Sequence, residues 1–320
     1  MRHVFIINPA AGKTDSSPRL TKQIHTLFEA RDEEYYIAVT QYPGHACEIA
    51  QHYAADGLET TLYACGGDGT LGEVAQALPG NPQLVLAPVP IGTGNDFVRT
   101  LLKDGGDRDN FSPERLLQGQ AVPFDLMLAG GRVSLNIASV GLDAVIAQNV
   151  VRFKRLPLVS GPMAYKLSLV YCFFAANRFR CRFEIDGEAL PTGDFIFAIA
   201  ANGRYYGSGF RAAPLADMQD GLIDFIRIPA LSRLKILPMI SHYKRGEHLE
   251  RYPFIQLIRC RQVRIVSDEP VVFNCDGEVA MAVNPVIEIL PSAARLLLPP
   301  DCVARYTSIQ EGADTACAAV

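Results

Sequence analysis

The order of hydrophobic and polar positions in the first third of the chain alternates between strand-like and helix-like periods. Short apolar runs predict strands at 4–7, 35–40, 61–64 and 84–88. Apolar residues at helical spacing predict helices at 18–30, 45–55 and 71–78, and a further helix starting at Asp96. Strands separated by helices predict a parallel sheet that binds its ligands beyond the carboxyl ends of the strands.

From about Val122 the pattern changes to strand-like runs separated by turn residues. Gly130-Gly131, Asp186-Gly187 and Asp276-Gly277 each lie between two such runs and are typical of type I′ hairpin turns. Predicted helices near 141–176 and 231–246 interrupt these strands, and a last strand is predicted at 286–290.

This organisation predicts two domains of different fold class. An α/β N-terminal domain with a parallel sheet is expected at 1–122. A mainly antiparallel β-sandwich is expected at 123–290. The tail, 291–320, is expected to pack back on the first domain.

Composition limits the possible functions. The 320 residues suffice for two domains, and the net charge of -4 argues against a dedicated nucleic-acid binder. The 8 cysteines lack zinc-site spacing and indicate thiols in a reducing compartment. The start of the chain lacks a secretory cleavage site, and the most apolar stretch, 156–176, contains Lys166 and two prolines. We therefore expect a cytoplasmic protein.

Two glycine-rich turns, 65–70 and 90–97, follow predicted strands and carry the most chemical information. Glycines let backbone N–H groups approach an anion closely, and the helix after each turn adds a favourable dipole. Each turn also contains an aspartate, which suggests a polyphosphate held with a divalent cation. The chain is therefore predicted to be a nucleotide enzyme.

Two further motifs are weaker. The small-residue turn from Asn8 to Lys13 ends in a cation, but Ile7 occupies the position where a P-loop requires glycine. An ordinary strand-to-helix loop explains it equally well. The segment 67–72 fits G-x-G-x-x-G, but it does not follow the first strand and lacks the later acidic residue, which disfavours NAD binding.

Asp68 and Asp96 occupy matched places in the two glycine-rich turns. Either one could simply cap a helix. The pairing favours shared Mg²⁺ binding, because Mg²⁺ prefers one or two carboxylates together with substrate phosphates. Asp125 is a third candidate ligand, with pairing to a neighbouring base as the alternative.

The motifs taken together resemble the diacylglycerol kinase catalytic family in its short bacterial lipid-kinase form. The resemblance begins with Asn-Pro-x-x-Gly at 8–12, Gly-Gly-Asp-Gly-Thr at 66–70 and Gly-Thr-x-Asn-Asp-Phe at 92–97. It continues through Asn136, 141–144, 202–203, 207–210, 213–214, 220–221 and 275–278, so it extends over nearly the whole chain.

The resemblance implies that the first domain binds the nucleotide and that the β-sandwich binds the lipid substrate. It also implies roles for particular residues. Those expected to bind ATP, including the neighbours of the matched positions, are Asn8, Gly12, Lys13, Thr40, Gly66, Gly67, Asp68, Gly69, Thr70, Leu71, Gly72, Thr93, Gly94 and Asn95. A structural cation would lie at Asp217, Asp220 and Leu222, partly on backbone carbonyls. Asp276 or Glu278 would be the general base, and the sequence does not decide between them.

A basic segment between 227 and 264 interleaves arginine and lysine with apolar residues. It predicts peripheral contact with an anionic membrane, although a solvated helix and strands would also explain it. The run 152–155 is a second membrane candidate, for which a buried helix is the better interpretation. A homodimer is left open.

The expected function is an ATP-dependent lipid kinase with Mg²⁺, which phosphorylates the hydroxyl of diacylglycerol or a similar lipid to a phosphatidic-acid-like product. The alternatives are a sphingoid-base or NAD kinase, or a non-catalytic regulator that binds nucleotide or lipid.

Overall fold

A computed structural model describes residues 1–102, 106–154, 163, 167, 178–304 and 306. The chain divides into two compact units, which are described separately. The first unit comprises Met1–Asp125 and the C-terminal stretch that begins at Ser292. The second unit comprises Leu126–Pro291.

The first unit alternates strands and helices. Its elements in chain order are β1 (Arg2–Ile7), α1 (Ser17–Phe28), β2 (Tyr35–Val39), α2 (His45–Ala54), β3 (Thr60–Gly66), α3 (Asp68–Ala75), β4 (Leu84–Pro90), α4 (Asp96–Leu101), a 3-10 turn (Arg108–Phe111) and α5 (Pro113–Leu116). The strands form a parallel sheet in the order β4-β3-β1-β2, which confirms the predicted α/β class. Late in the chain, Arg295 and Leu296 pair in parallel with β4.

Burial explains why these strands carry continuous apolar runs. Every residue of β1 and β3 is buried, as expected for central parallel strands covered on both faces, and β2 at the edge is more exposed. Phe5 and Tyr63 stack with their ring centroids 4.2 Å apart on neighbouring strands. Helix α3 starts at Asp68 and not at the predicted residue 71. Gly67 is extended, and the helix follows it directly.

The second unit is mainly antiparallel. Its elements are the end of β5 (Gln120–Ala129), β6 (Arg132–Ser134), β7 (Ile137–Gly141), α6 (Leu142–Lys154), β8 (Phe179–Ile185), β9 (Glu188–Ala189), β10 (Gly193–Ala201), β11 (Ile223–Pro229), α7 (Arg233–Arg245), α8 (His248–Arg251), β12 (Gln256–Cys260), β13 (Gln262–Val266), β14 (Val271–Cys275), β15 (Glu278–Ala282) and the start of β16 (Val286–Leu298). The strand order is β15-β14-β7-β10-β8-β13-β16, with β11 and β12 beside β10.

Strand β10 shows how this sheet is covered on both faces. Ala198 and Ala200 belong to one hydrophobic cluster, while Phe197 and Ile199 belong to another. Successive side chains of a strand point to opposite faces, so the two clusters lie on the two faces of the sheet. The second cluster includes Met239 of α7. The predicted helix near 231–246 is therefore confirmed.

The predicted hairpin turns have the expected backbone. Asp186 and Asp276 have φ of 48° and 49°, and the glycines that follow them have φ of 87° and 99°, as a type I′ turn requires. The Asp186-Gly187 turn joins β8 to the short β9 and not directly to β10. The strand-like run that follows Gly130-Gly131 is divided into β6 and β7.

Within the predicted helix near 141–176 the structure describes α6 and residues 163 and 167, and the rest of that segment, with Arg155 of the basic run 152–155, lies outside the described residues. In the ranges given above, no helix combines the length and the apolar character needed to cross a membrane.

Candidate active site

The turns after β1, β3 and β4 meet at one edge of the parallel sheet. A Cβ atom on Gly92 would lie 2.5 Å from the Cα of Gly67 and 3.0 Å from its nitrogen. A Cβ on Gly12, whose φ is 87°, would lie 2.6 Å from the carbonyl oxygen of Ile91. Such distances exclude a side chain, so the glycines let three chain segments touch.

Asn8 fixes the first of these turns. Its backbone N–H donates to the Cys65 carbonyl oxygen at 2.9 Å, and its side-chain Nδ2 donates to Thr70 Oγ1, also at 2.9 Å. Its Oδ1 accepts from the Ala10 N–H at 2.9 Å. The turn at 8–13 is thus tied to the second turn and to α3, and it carries the exposed Lys13 at its end. It therefore lies at the same edge as the other two turns and is not an isolated loop.

The first turn of α3 offers N–H groups at the centre of this edge. Its N-cap residue is Gly67, which has no side chain to occupy them. A shallow depression beside it is lined by Gly66, Asp68, Pro90 and Asn95, among others. Asn95 is buried in the left-handed conformation, with φ of 53°, and its Nδ2 donates to the Gly92 carbonyl oxygen at 2.8 Å. The arrangement favours an anion.

The aspartates of the two turns are close to each other but make different contacts. Asp68 Oδ1 accepts from the backbone N–H of Phe97 at 3.1 Å and so caps α4 from a neighbouring turn. Asp96 is buried and forms an ion pair with Arg99. Asp125 is also buried, and its Oδ1 accepts from the Ser292 N–H at 2.7 Å.

These contacts test the expected Mg²⁺ ligands. Across the part of the chain that the structure describes, no group of at least three His, Cys, Asp or Glu residues is arranged to hold a metal. The three aspartates are therefore not brought together as one metal site. Asp68 does cap a helix, and that helix is α4. A single carboxylate still fits Mg²⁺ that arrives with substrate phosphates.

The remaining predicted nucleotide residues lie at the same edge. Thr40 is buried directly after β2, and its N–H donates to the Ile7 carbonyl oxygen at 2.9 Å. Thr93 is exposed and Gly94 is half-buried in the turn after β4. Gly69 and Gly72 face open space, since a Cβ on either would meet nothing within 4 Å.

In the second unit, the candidate base Asp276 is an acceptor for the backbone. Its Oδ2 accepts from the Leu135 N–H at 2.6 Å, and its Oδ1 accepts from the Asn136 and Ile137 N–H groups at 3.1 and 2.9 Å. Burial raises the pKa of the Asp276 carboxyl, and these hydrogen bonds oppose that rise. Two of these N–H groups, those of Leu135 and Asn136, lie between β6 and β7.

Glu278 is different. It is exposed at the start of β15, where it pairs with Cys275 of β14, and its carboxylate has no hydrogen bond or ion pair with any residue that the structure describes. Asn136 and Asn202 lie next to the Asp276 turn, with the Asn202 N–H donating to the Asn136 carbonyl oxygen at 2.8 Å. A Cβ on Gly203 would lie 2.3 Å from Asn136 Oδ1, which explains the glycine there.

The predicted structural-cation loop is neutralised by arginine. Arg259 contacts Asp224 Oδ1 at 3.1 Å and Asp220 Oδ2 at 3.7 Å, and it donates to the Leu215 carbonyl oxygen at 3.1 Å. Asp217 and Asp220 also accept from the backbone within the loop. Burial raises the pKa of Asp224 to about 6, and Arg259 opposes the rise. Asp220 and Asp224 thus already have a cationic partner in Arg259.

We expect Arg259→Met to destabilise the second unit by about 2 kcal/mol, because Asp224 is left buried without its counter-charge. Thermal unfolding in EDTA and in millimolar Mg²⁺ measures the effect. The exposed Arg180→Met serves as the control, since Arg180 pairs only with a solvent-exposed aspartate. Full rescue of the Arg259 variant by Mg²⁺ would show that the loop is a cation site after all.

Sequence reasoning missed three contributors. Arg99 could have been found from its i, i+3 spacing to Asp96. Glu73 accepts from the N–H groups of Gly44 and Ala46 at 2.9 and 3.2 Å, and Arg259 contacts residues far away along the chain. These last two depend on tertiary proximity, for which the sequence contains no local signal.

Residues 2–129 match the family described as "Diacylglycerol kinase catalytic domain", and residues 136–298 match "YegS C-terminal NAD kinase beta sandwich-like domain". The chain belongs to the diacylglycerol kinase catalytic family. The predicted resemblance is thereby confirmed, as is the class of the two domains.

Individual relatives agree with this assignment. A "Probable lipid kinase YegS-like" protein of Xanthomonas oryzae pv. oryzae (strain MAFF 311018) is 30% identical over 304 residues, which cover 91% of this chain and 95% of that protein. A "Diacylglycerol kinase" of Bacillus subtilis (strain 168) is 26% identical over 277 residues, covering 86% and 88%. A diacylglycerol kinase structure from Bacillus anthracis str. Sterne has the same fold, with a TM-score of 0.72 at 24% identity, covering 94% and 98%.

Proposed function

We propose that the protein is an ATP-dependent lipid kinase that phosphorylates the hydroxyl of diacylglycerol or a similar lipid, giving a phosphatidic-acid-like product. The observation that carries the proposal is the direct contact of the glycine turns at 66–70 and 91–95, joined by the Asn8 turn, in a member of this family. Phosphoryl transfer depends mainly on positioning and on neutralising charge, which such a cradle provides.

The phosphates would lie against the N–H groups of the first turn of α3, with Lys13 and Thr93 free to approach them from the neighbouring turns. Asp68 would hold Mg²⁺ together with the phosphates, since one carboxylate and substrate oxygens are a usual Mg²⁺ environment. When bound, Mg²⁺ would neutralise charge on the transferring phosphoryl group. Asp96 would act indirectly, because its ion pair with Arg99 would hold the glycine-rich turn after β4 in place.

Glu278 is the better candidate for the general base. A carboxylate has room for about four hydrogen bonds, and the backbone N–H groups from Leu135 to Ile137 already fill most of that capacity in Asp276. Glu278 follows in the same turn, and its exposed carboxylate has lone pairs that can accept a hydroxyl proton. Asp276 would then position the turn that presents Glu278.

Two variants separate these roles. Glu278→Gln should lower kcat by about 100-fold or more without changing the melting temperature, because only the proton acceptor is removed. Asp276→Ala should lower the free energy of unfolding by about 3 kcal/mol, because several buried N–H groups lose their acceptor. Turnover and thermal unfolding of both variants are the measurements. If Glu278→Gln keeps the wild-type kcat, Glu278 is not the general base and Asp276 takes its place as the candidate.

The outer face of α7 supports the proposed contact with an anionic membrane. Leu234 is 83% exposed and Lys235 lies beside it, while Met239 and Tyr243 face the core. Farther along the helix, Arg245 is already paired with Glu247 at 2.7 Å. The first turns of α7 therefore offer the apolar and basic groups that could enter a lipid surface.

Leu234→Glu should weaken binding to liposomes containing phosphatidylglycerol roughly tenfold, because a charge replaces an inserted apolar group. Leu58→Glu is the matched control, since Leu58 is also exposed but lies in the first unit. Co-sedimentation measures both variants. Equal binding of Leu234→Glu and wild type would contradict membrane contact through α7.

The proposed function is tested by ADP release from Mg²⁺-ATP in mixed micelles of dioleoylglycerol, with sphingosine, monoacylglycerol and NAD as other acceptors. We expect turnover that depends on diacylglycerol and is lost in Glu278→Gln. Turnover only with sphingosine would indicate a sphingoid-base kinase, and turnover only with NAD would indicate an NAD kinase. ATP binding without turnover on any acceptor would favour a non-catalytic regulator.

A further inference from the structure

An exposed aromatic pair lies beyond the carboxyl end of β2, on the same edge of the sheet as the glycine turns. The rings of Tyr42 and His45 are stacked, with centroids 4.6 Å apart and planes inclined by only 14°. Tyr42 is 49% exposed, so one side of the stack is open to solvent. Burial in the core therefore does not account for this pair.

Local hydrogen bonds hold both rings in place. The Tyr42 hydroxyl donates to Glu48 Oε2 at 2.7 Å, and His45 Nδ1 accepts from the Gln41 N–H at 3.1 Å. Both partners lie within a few residues of the rings, on the same turn and on α2. A fixed, solvent-exposed aromatic surface is suited to stacking against a planar ligand, because little conformational freedom is lost on binding.

The negative charge of Glu73, at the amino end of α2 beside the Tyr42–His45 pair, disfavours a phosphate group there. The amino end of α2 would otherwise attract an anion, but the Glu73 carboxylate already accepts from the Gly44 and Ala46 N–H groups. A second anion there would meet a like charge. A ligand group that stacks on Tyr42 would therefore not be an anion, unlike a group at the α3 amino end.

The distance from the amino end of α3 to the Tyr42–His45 pair suits a single bound nucleotide. Strand β2 is separated from β3 by β1, which places it about 10 Å away at the usual strand spacing. Glu73 belongs to α3, the helix whose first turn faces the glycine-rich edge, and it contacts the start of α2 directly. A nucleotide with its phosphates at α3 can thus extend along the edge toward Tyr42.

We propose that Tyr42, supported by His45, is the stacking surface for the nucleobase of the phosphoryl donor. The inference rests on the proposed function, since it needs a nucleoside triphosphate at the glycine turns. Stacking requires only an aromatic face, so this surface contributes affinity for any purine and does not distinguish adenine from guanine.

Isothermal titration calorimetry with ATP, GTP and inorganic tripolyphosphate tests the proposal on the wild type, Tyr42→Leu and Tyr42→Phe. Tyr42→Leu should bind ATP and GTP about tenfold more weakly, the usual size of a lost base–aromatic stack, and tripolyphosphate as tightly as the wild type. Tyr42→Phe keeps the ring and should retain most of the affinity for ATP. Tyr36→Leu is the matched control, because Tyr36 is an exposed tyrosine of β2 itself.

The outcomes separate this inference from the function on which it rests. Wild-type affinity for ATP in Tyr42→Leu would overturn the stacking role and leave the kinase proposal standing. An equal loss of ATP and tripolyphosphate binding would also overturn it, since the defect would then lie in the phosphate cradle. A wild-type protein that binds tripolyphosphate but neither purine nucleotide would overturn both proposals.

Discussion

Asp68→Asn is expected to lower kcat by about 100-fold or more while leaving the fold intact. The asparagine Oδ1 can still accept from the Phe97 N–H, so the cap of α4 is retained. The negative charge that would hold Mg²⁺ against the phosphates is lost, and removing one such electrostatic group costs catalysis of this order. Steady-state turnover with Mg²⁺-ATP and thermal unfolding are the measurements.

Asp107→Asn is the matched control for this substitution. The Asp107 carboxylate also accepts a backbone N–H at the start of a helical turn, that of Asp109 at 3.1 Å. Its substitution should change neither turnover nor melting temperature. If Asp68→Asn keeps wild-type turnover, then Asp68 is only a cap and the assignment of the metal ligand is wrong.

Gly92→Ala is expected to have the second large effect, a loss of at least tenfold in ATP affinity together with about 2 kcal/mol of stability. The added Cβ would lie 2.5 Å from the Cα of Gly67, so the two turns must separate. Backbone cannot yield as a flexible side chain does, and overpacking of this kind costs about 1–3 kcal/mol. Calorimetric ATP binding and thermal unfolding measure the two losses.

Gly69→Ala provides the contrast. Its Cβ meets nothing within 4 Å, and alanine in a helix is more stable than glycine by roughly 0.5–1 kcal/mol. The stability of this variant should therefore not fall, whereas its ATP affinity should fall because the added methyl group would occupy the space proposed for phosphate. Wild-type ATP affinity in both variants would show that the glycine turns do not bind the nucleotide.

The paired carboxylates show how far local sequence can support a catalytic assignment. The turn chemistry of Asp276-Gly277 was predictable, because only a few residue pairs accept positive φ at both positions. The choice between Asp276 and Glu278 was not predictable. It depends on N–H groups from 135–137, which are more than a hundred residues away along the chain.

The metal assignments have the same limitation. Matched positions in two turns suggested that Asp68 and Asp96 share one ion, and the positions are indeed adjacent. The contacts differ, because Arg99 on the first turns of α4 neutralises Asp96 while Asp68 reaches the α4 amino end. Arg259 likewise comes from a distant strand to the acidic loop at 215–224. The i, i+3 spacing of Arg99 could have indicated its pairing with Asp96, whereas the counter-charge from Arg259 cannot be read from local spacing.

The sequence by itself determined the periods of its elements, the parallel first sheet, the antiparallel second sheet and the residues at the strand ends. These follow from local physics, since side-chain periodicity and the allowed φ angles of glycine act within a few residues. Only the tertiary structure decided that Gly92 touches Gly67, that Glu73 fills the amino end of α2 and that Asp276 binds its distant backbone. Those contacts join segments far apart in the chain, and their existence depends on how whole elements pack.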